Sequence, residues 1–421
     1  MSGWDHKNEH GNGRNLPRLL SSKAMRGVIC VSAGLALFSV TAAPPKDIER
    51  PGLERLQNAI AAQTRHSDDL FQFDGVRGTG VGWRRSDGEP VVKVFTSKYQ
   101  VSNLPDNVDG TPVVVEYVGD IRALANEVSA GNGKKKGHAI APPKAGDPVV
   151  TDQYVAQAGA VDRRDRFDRP VPIGVSAGHP GITAGTIGCR VSQGCHTYAL
   201  SNNHVFADSN DASIGDNILQ PGPFDGGSSP ADSIGTLFDY VPMEWHPEQP
   251  WRPKPLNYMD AALAESTDVG IATPEDGYGA PRADTMPGYV GQKLMKYGRT
   301  TGQTYGYIDA LNVTIDVNYG STANPKYARF AGQIIIKPAT EASYSDFSLG
   351  GDSGSLIVAA DSGYPQADCV TDPVNPCAGD YPPVADERRP VALLFAGGGG
   401  ITVGNPIDDI LDTFGVIIDG E

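Results

Sequence analysis

The stretch Ser348–Val358, SLGGDSGSLIV, places a serine between glycines directly before an apolar run. A nucleophilic serine needs an exposed hydroxyl, with its own N–H and a neighbouring N–H turned toward the same point in space. Gly351 can take backbone angles that a side chain would forbid, and N–H groups so placed can bind a developing oxyanion. The stretch therefore predicts that Ser353 is a nucleophile at the start of a strand.

A serine nucleophile needs a general base, and the base needs an orienting group. In YALSNNHVFAD, His204 follows a predicted strand that ends at Leu200. In YMDAALAES, Asp260 opens an apolar strand, where it can be held buried against an imidazole. Each feature alone is common and usually structural. A histidine, an aspartate and a serine in this order, each at a strand edge, predict a catalytic triad.

The same motifs resemble those of the chymotrypsin-like serine peptidases. GGDSGS is similar to the nucleophile motif of that family, SNNHVFA to its histidine motif and DAAL to its aspartate strand. Asn202 and Asn203 replace the small residues that usually precede the histidine. YGRTTG and FAGG look closer to a bacterial, trypsin-like branch than to digestive enzymes. The resemblance covers about residues 170–421.

The resemblance implies two six-stranded β-barrels with the site between them, followed by a C-terminal helix. It implies that Ser353 attacks, His204 shuttles the proton, Asp260 orients His204, and Gly351 with Ser353 forms the oxyanion hole. The predicted protein is a serine endopeptidase that cleaves peptide or protein substrates through an acyl-enzyme, with no cofactor and no metal ion. The alternative is a catalytically silent binding module of the peptidase fold.

The specificity pocket is predicted by counting back six residues from Ser353, which gives Phe347. A trypsin-like enzyme carries an acid at this position to bind lysine or arginine, so Phe347 favours uncharged or apolar residues before the scissile bond. A single gap in the count would place Asp346 there instead. No Ile-Val-Gly-Gly start marks an activation cleavage, which leaves an internal partner as the alternative for Asp352.

The composition bounds the class of protein. The chain has 421 residues, a formal net charge of −15, 51 glycines and 33 prolines. Such an acidic chain repels phosphate backbones, so nucleic acid is excluded as a predicted partner. The glycine and proline content favours a loop-rich, mostly β protein. Oligomeric state cannot be predicted from the sequence.

Residues 1–43 are predicted to be a signal peptide. A basic start is followed by the apolar run Val28–Val40 and by small residues, with cleavage near Ala42 or Ala43. The alternative is a membrane anchor, but the run is short for a bilayer span. The mature protein is therefore predicted to be secreted or periplasmic and free of the membrane.

Three further segments are predicted. Residues 47–128 read as a small α/β accessory domain, because Leu53, Leu56 and Ile60 share a helical face and a strand hairpin surrounds SDGE. Residues 129–165 lack an apolar period and read as a linker. Residues 166–421 read as the peptidase domain, ending in a helix over 405–415. An alternative makes the N-terminal segment a pro-region that inhibits until it is removed.

The cysteines left after signal cleavage form two close pairs, Cys189 with Cys195 and Cys369 with Cys377. An even number in an exported chain predicts two disulfide bonds. The spacing in CRVSQGC also fits a tight hairpin. Zinc is the alternative, although the pairs lack C-x-x-C spacing.

A second metal alternative is calcium in the acidic loop 208–217. Its candidate ligands are Asp208, Asn210, Asp211 and Asp216. Their spacing does not match an EF-hand, and a solvated turn is the simpler interpretation.

Overall fold

The computed structural model describes residues 53–124, 161–246, 254–321, 323–339, 346–360 and 386–421. The predicted signal peptide, most of the predicted linker, Cys369 and Cys377 lie outside these ranges. The described helices are α1 Leu53–Leu70, α2 Asn203–Phe206 and α3 Ile407–Phe414. The described strands are β1 Val76–Trp83, β2 Pro90–Thr96, β3 Asn107–Val108, β4 Thr111–Tyr117, β5 Arg122–Ala123, β6 Ser176–Ala177, β7 Gly185–Thr186, β8 Cys189–Gln193, β9 His196–Ser201, β10 Asn217–Leu219, β11 Ser233–Tyr240, β12 Leu256–Asn257, β13 Ala262–Glu265, β14 Lys293–Gly298, β15 Gly302–Asn318, β16 Tyr327–Pro338, β17 Leu356–Ala359, β18 Pro390–Gly398, β19 Ile401–Pro406 and β20 Ile417–Ile418.

One sheet has six strands in the order β10-β11-β13-β9-β8-β20. Its strands alternate buried and less buried side chains, as in Cys189–Gln193, because one face covers a core and the other meets solvent. The strands β9 and β13 lie side by side and antiparallel, with Ala262 opposite Ser201. This pairing brings the end of β9 next to the start of β13.

The other large sheet has twelve strands, in the order β12-β16-β19-β18-β17-β14-β15-β1-β2-β4-β3 with β5 alongside β15 and β18. The mostly β class and the C-terminal helix are confirmed. The strands expected to form a second six-stranded barrel lie instead in this larger sheet, because the long strand β15 pairs with both β14 and the N-terminal strand β1.

The predicted N-terminal elements are present. Helix α1 buries Leu56 and Ala59, strands β1 and β2 form the predicted antiparallel hairpin, and β4 runs parallel to β2. Because β1 also pairs with β15, these elements extend the sheet that carries the serine motif. The described residues from Leu53 onward belong to one compact unit, and the domain limits given above stay predictions.

The C-terminal helix packs through the predicted residues, with Ile407 and Ile410 buried and Leu411 and Phe414 against the same core. The helix begins at Ile407 rather than at the predicted residue 405. Strand β19 runs to Pro406, which precedes the helix without a side-chain capping bond. The side chain of Asn405 is engaged elsewhere, as described below.

The predicted bond between Cys189 and Cys195 is wrong. Strands β8 and β9 form the expected hairpin, with Cys189 opposite Leu200 and Gln193 opposite His196. Four residues of extended strand separate Cys189 from the turn by roughly 13 Å, far more than a disulfide spans. Cys189 is free and buried, and burial raises the pKa of its thiol. Cys195 is disulfide-bonded, and Cys189 is not its partner.

Across the ranges given above, none of the helices is both long and apolar enough to cross a bilayer.

Candidate active site

His204 and Asp260 form a buried pair. His204 lies in α2, just after β9, and Asp260 lies just before β13, so the pairing of these strands brings the two together. His204 Nδ1 is 2.5 Å from Asp260 Oδ2, and the backbone N–H of His204 donates to Asp260 Oδ1 at 3.1 Å. Both side chains are almost fully buried, at 2% and 0% exposure. Two bonds to one carboxylate fix the orientation of the imidazole.

Three residues that were not predicted as site residues hold Asp260 in place. The hydroxyl of Tyr319 donates to Asp260 Oδ2 at 2.7 Å. The Asn202 amide donates to the Asp260 carbonyl at 2.8 Å, and Asn405 Oδ1 accepts from the Asp260 N–H at 3.1 Å. Burial and the neighbouring carboxylate raise the pKa of Tyr319 well above its usual value, so Tyr319 stays a donor. The sequence around Tyr319 carries no signal of this contact.

The second asparagine before the histidine has a structural role. Asn203 donates to the Val241 carbonyl at 2.7 Å and to Asn210 Oδ1 at 2.8 Å. Asn210 and Asp216, two of the candidate calcium ligands, are hydrogen-bonded within the protein, Asp216 to the N–H of Ser213. The two bonds between Asn203 and Asn210 tie the acidic loop to the turn that carries His204.

The outer nitrogen of the imidazole has no partner among the described residues. His204 Nε2 is buried and makes no hydrogen bond to this part of the chain. When Nδ1 of a neutral imidazole donates to a carboxylate, Nε2 carries the lone pair and can accept a proton. A buried polar atom without a partner is costly and calls for an explanation.

Ser353 lies in a glycine-bounded turn before β17. Gly351 and Gly354 have φ of +97° and +93°, where a side chain would be strained. A Cβ on Gly351 would also lie 2.5 Å from the guanidinium of Arg299. The hydroxyl of Ser353 donates to the Phe395 carbonyl at 3.2 Å. The glycines thus shape the turn as predicted, and the hydroxyl bonds to β18 rather than to His204.

Asp352 has an internal partner, as the alternative above allowed. Its carboxylate accepts from the N–H groups of Thr300 and Leu349 at 2.8 and 2.9 Å and from the Thr301 hydroxyl at 2.7 Å. The ammonium group of Lys296 is 3.6 Å away, and both charged groups are wholly buried. Burial lowers the pKa of Lys296 to about 8. The turn that carries Ser353 is therefore braced without a newly freed N-terminus.

The predicted pocket residue Phe347 lines a small cavity. Phe347 is 2% exposed and packs in a core cluster with Ile357 and Leu394. Asp346, Ser348 and Thr402 line the same cavity, whose volume is about 130 Å³. Asp346 is exposed at its edge, and partial loss of hydration raises the pKa of its carboxyl. Both pocket candidates from the sequence thus border one cavity.

The chain is similar to solved structures of bacterial chymotrypsin-like serine proteases, in agreement with the resemblance in its motifs. Thermobifida fusca protease A is 18% identical at a TM-score of 0.36, over 60% of this chain and 100% of the protease. Cellulomonas bogoriensis chymotrypsin is 16% identical at 0.35, over 61% and 100%. An alpha-lytic protease homolog, N4, is 17% identical at 0.35, over 59% and 99%.

No protein-family model matches the sequence, and no curated protein matches it. TM-scores of this size do not establish a function, so the function proposed next depends on the geometry of the site.

Proposed function

We propose that the protein is a serine endopeptidase in which Ser353, His204 and Asp260 act together. The observation that carries the proposal is the buried His204–Asp260 pair, in which the outer nitrogen Nε2 of His204 has no partner within the described ranges. An enzyme needs this arrangement before its serine is engaged, because the base must accept a proton.

The chemistry requires a rearrangement of the Ser353 side chain. Rotation of the Ser353 side chain moves its hydroxyl from the Phe395 carbonyl toward His204, which takes the proton as the oxygen attacks the peptide carbonyl. The N–H groups of Gly351 and Ser353 stabilise the oxyanion. His204 then protonates the leaving amine, and water hydrolyses the acyl-enzyme by the same steps in reverse. Catalytic hydrogen bonds are often open in structures without substrate.

The alternative is a silent binding module, and one observation favours it. The hydroxyl of Ser353 is bonded to β18 and not to His204. If this rotamer is fixed, the serine keeps its proton and is a weak nucleophile.

Fluorophosphonate labelling separates these functions, because the probe reacts with an activated serine. We expect the purified chain to be labelled at Ser353 and Ser353→Ala to be unlabelled. Ser213→Ala, in an exposed loop, is the matched control and should be labelled like the parent. A folded parent chain that does not react with the probe even on prolonged exposure would support the silent module.

Export is part of the proposal. We expect secretion or periplasmic location to follow from residues 1–43. Sequencing the N-terminus of the exported protein tests cleavage near Ala43.

A further inference from the structure

Residues Val118–Leu124, here called the strap, connect the N-terminal elements to the region of Ser353. The N–H of Val118 donates to the Thr96 carbonyl at 2.8 Å, and the Ile121 carbonyl accepts from the N–H of Asn318 at 2.8 Å. Val118 and Ile121 are wholly buried in the core of the twelve-stranded sheet, together with Phe395. The strap is therefore held firmly beside β18 and β15.

The end of the strap adds a short strand to β18. Ala123 lies opposite Ala396 and Arg122 opposite Gly397, antiparallel. The N–H of Leu124 donates to the Phe395 carbonyl at 3.3 Å. Addition of an extended segment to a strand through main-chain bonds is a general way to bind a peptide without regard to most of its side chains.

The carbonyl of Leu124 contacts the N–H of Gly351, one of the two groups proposed to bind the oxyanion. The N–H of Gly351 donates to the Leu124 carbonyl oxygen. The Phe395 carbonyl accepts both from the Leu124 N–H and from the Ser353 hydroxyl, the latter at 3.2 Å. The peptide group of Leu124 is thus bracketed by Gly351 and Phe395, next to the proposed nucleophile.

The side chain of Leu124 faces the specificity cavity. It lines that cavity with Phe347 and packs against the apolar cluster to which Phe347 belongs. A Cβ on Gly397 would lie 3.2 Å from its Cδ1, so the glycine leaves room for it. The guanidinium of Arg122 does not line the cavity and is paired with Asp120 at 2.9 Å. Leu124 of the strap therefore lines the cavity, whereas Arg122 does not.

We propose that the strap is the chain's own substrate strand, with Leu124 in the position of the residue whose carbonyl is attacked. It blocks the site until the chain is cut after Leu124 and the strap leaves. The leucine in the cavity indicates that the site selects peptides with leucine or a similar aliphatic residue before the scissile bond. This inference depends on the proposed peptidase function.

The cleavage step balances without a co-reactant other than water. Ser353 Oγ bonds to the carbonyl carbon of Leu124 and gives its proton to His204. The bond from Leu124 to the nitrogen of the next residue breaks, and that nitrogen takes the proton from His204. Water then hydrolyses the ester, which leaves a carboxylate on Leu124 and restores the Ser353 hydroxyl.

The test uses the full chain and three variants. We expect the parent chain to yield a fragment that begins at Ala125, detected by intact mass and N-terminal sequencing. Leu124→Asp should slow this cut at least about 100-fold, because a carboxylate is costly in an apolar cavity. The uncut Leu124→Asp chain should react with a fluorophosphonate at least about 10-fold faster than uncut parent, because its strap no longer fills the site. Leu124→Met should be cut like the parent.

The matched control is Val115→Asp, the same chemical change at a half-exposed residue of β4. It should be cut and labelled like the parent. A panel of Arg-Ala-X reporter peptides should be hydrolysed at least about 10-fold faster with leucine at X than with arginine or aspartate.

The outcomes separate two failures. If the chains hydrolyse peptides and react with the probe, but the parent is not cut after Leu124 and Leu124→Asp reacts at the parent rate, the strap inference is overturned and the peptidase function stands. A panel dominated by arginine would also overturn the inference. If no folded variant, Leu124→Asp included, reacts with the probe or hydrolyses any peptide, the peptidase function fails, and the strap inference fails with it.

Discussion

His204 and Asp260 lie at the ends of two neighbouring strands of the six-stranded sheet, whereas Ser353 lies in a turn of the twelve-stranded sheet that distant residues hold. The first pair is brought together by one strand pairing and closed by buried hydrogen bonds. The serine turn depends on Lys296 and on the strap, which come from other parts of the chain. The base is thus preset by one pairing of neighbouring strands, whereas the turn of the nucleophile is held by contacts from several separate strands.

The largest loss of activity is expected when His204, at the six-stranded sheet, or Ser353, at the twelve-stranded sheet, is removed. His204→Ala and Ser353→Ala should each lower kcat by a factor on the order of 10⁶, and the double variant should be no worse, because members of a triad act as a unit. Steady-state hydrolysis of a leucine reporter peptide, with thermal unfolding to verify the fold, measures this. Multiplicative losses in the double variant would show that the two residues work independently.

A change at Asp260 alone should lower kcat less. Asp260→Asn keeps the shape but presents an amide to His204 Nδ1, which favours the wrong tautomer. A loss of about 10⁴ in kcat is expected by analogy with the same change in a known protease. Asp239→Asn, at an exposed position on β11, is the control. Full activity in Asp260→Asn would contradict the orienting role of Asp260.

The ion pair that stabilises the serine turn can be removed by a change at Lys296. Lys296→Met leaves the buried charge of Asp352 without its cation, so the free energy of unfolding should fall by about 3–5 kcal/mol. Lys98→Met, which removes a half-exposed ion pair, should cost about 1 kcal/mol or less. Denaturant titration at pH 7 measures both changes.

The same variant tests the pKa of Lys296. Burial lowers this pKa from 10.5 to about 8, so the unfolded chain binds the proton more tightly. Between these values the unfolded state holds more protons, and the contribution of Lys296 to the free energy of unfolding therefore rises with pH. The difference in stability between parent and Lys296→Met should grow from pH 8 to pH 10. A constant difference would show that the pKa is not lowered.

The smallest expected loss of kcat comes from a change at Tyr319, which donates a hydrogen bond to Asp260. Tyr319→Phe removes one of the donors to Asp260 and should lower kcat about 10-fold with little change in KM, since a hydrogen bond to a charged group contributes about 1.5–3 kcal/mol. Tyr240→Phe, on β11, is the control for loss of a tyrosine hydroxyl. An unchanged kcat would mean that the His204 contacts alone orient Asp260.

Much of the fold was predictable because it depends on short-range patterns. The helical face of α1, the hairpin of β1 and β2 and the apolar face of α3 follow from periodicity. The tight turn in CRVSQGC was also predicted, but the bond between Cys189 and Cys195, inferred from an even number of closely paired cysteines, was wrong. Spacing along a hairpin does not say which side chains lie opposite each other, and the register places Cys189 opposite Leu200.

The kinds of residue at the site follow from the sequence: a serine in a glycine turn, a histidine after a strand and an aspartate before one. Their surroundings depend on contacts between distant segments. Tyr319, Asn405 and Lys296 meet their partners through contacts that span 59, 145 and 56 residues, and Leu124 reaches Gly351 across more than two hundred. Such contacts are set by how strands from distant segments register in one sheet, and a local pattern carries no record of that register.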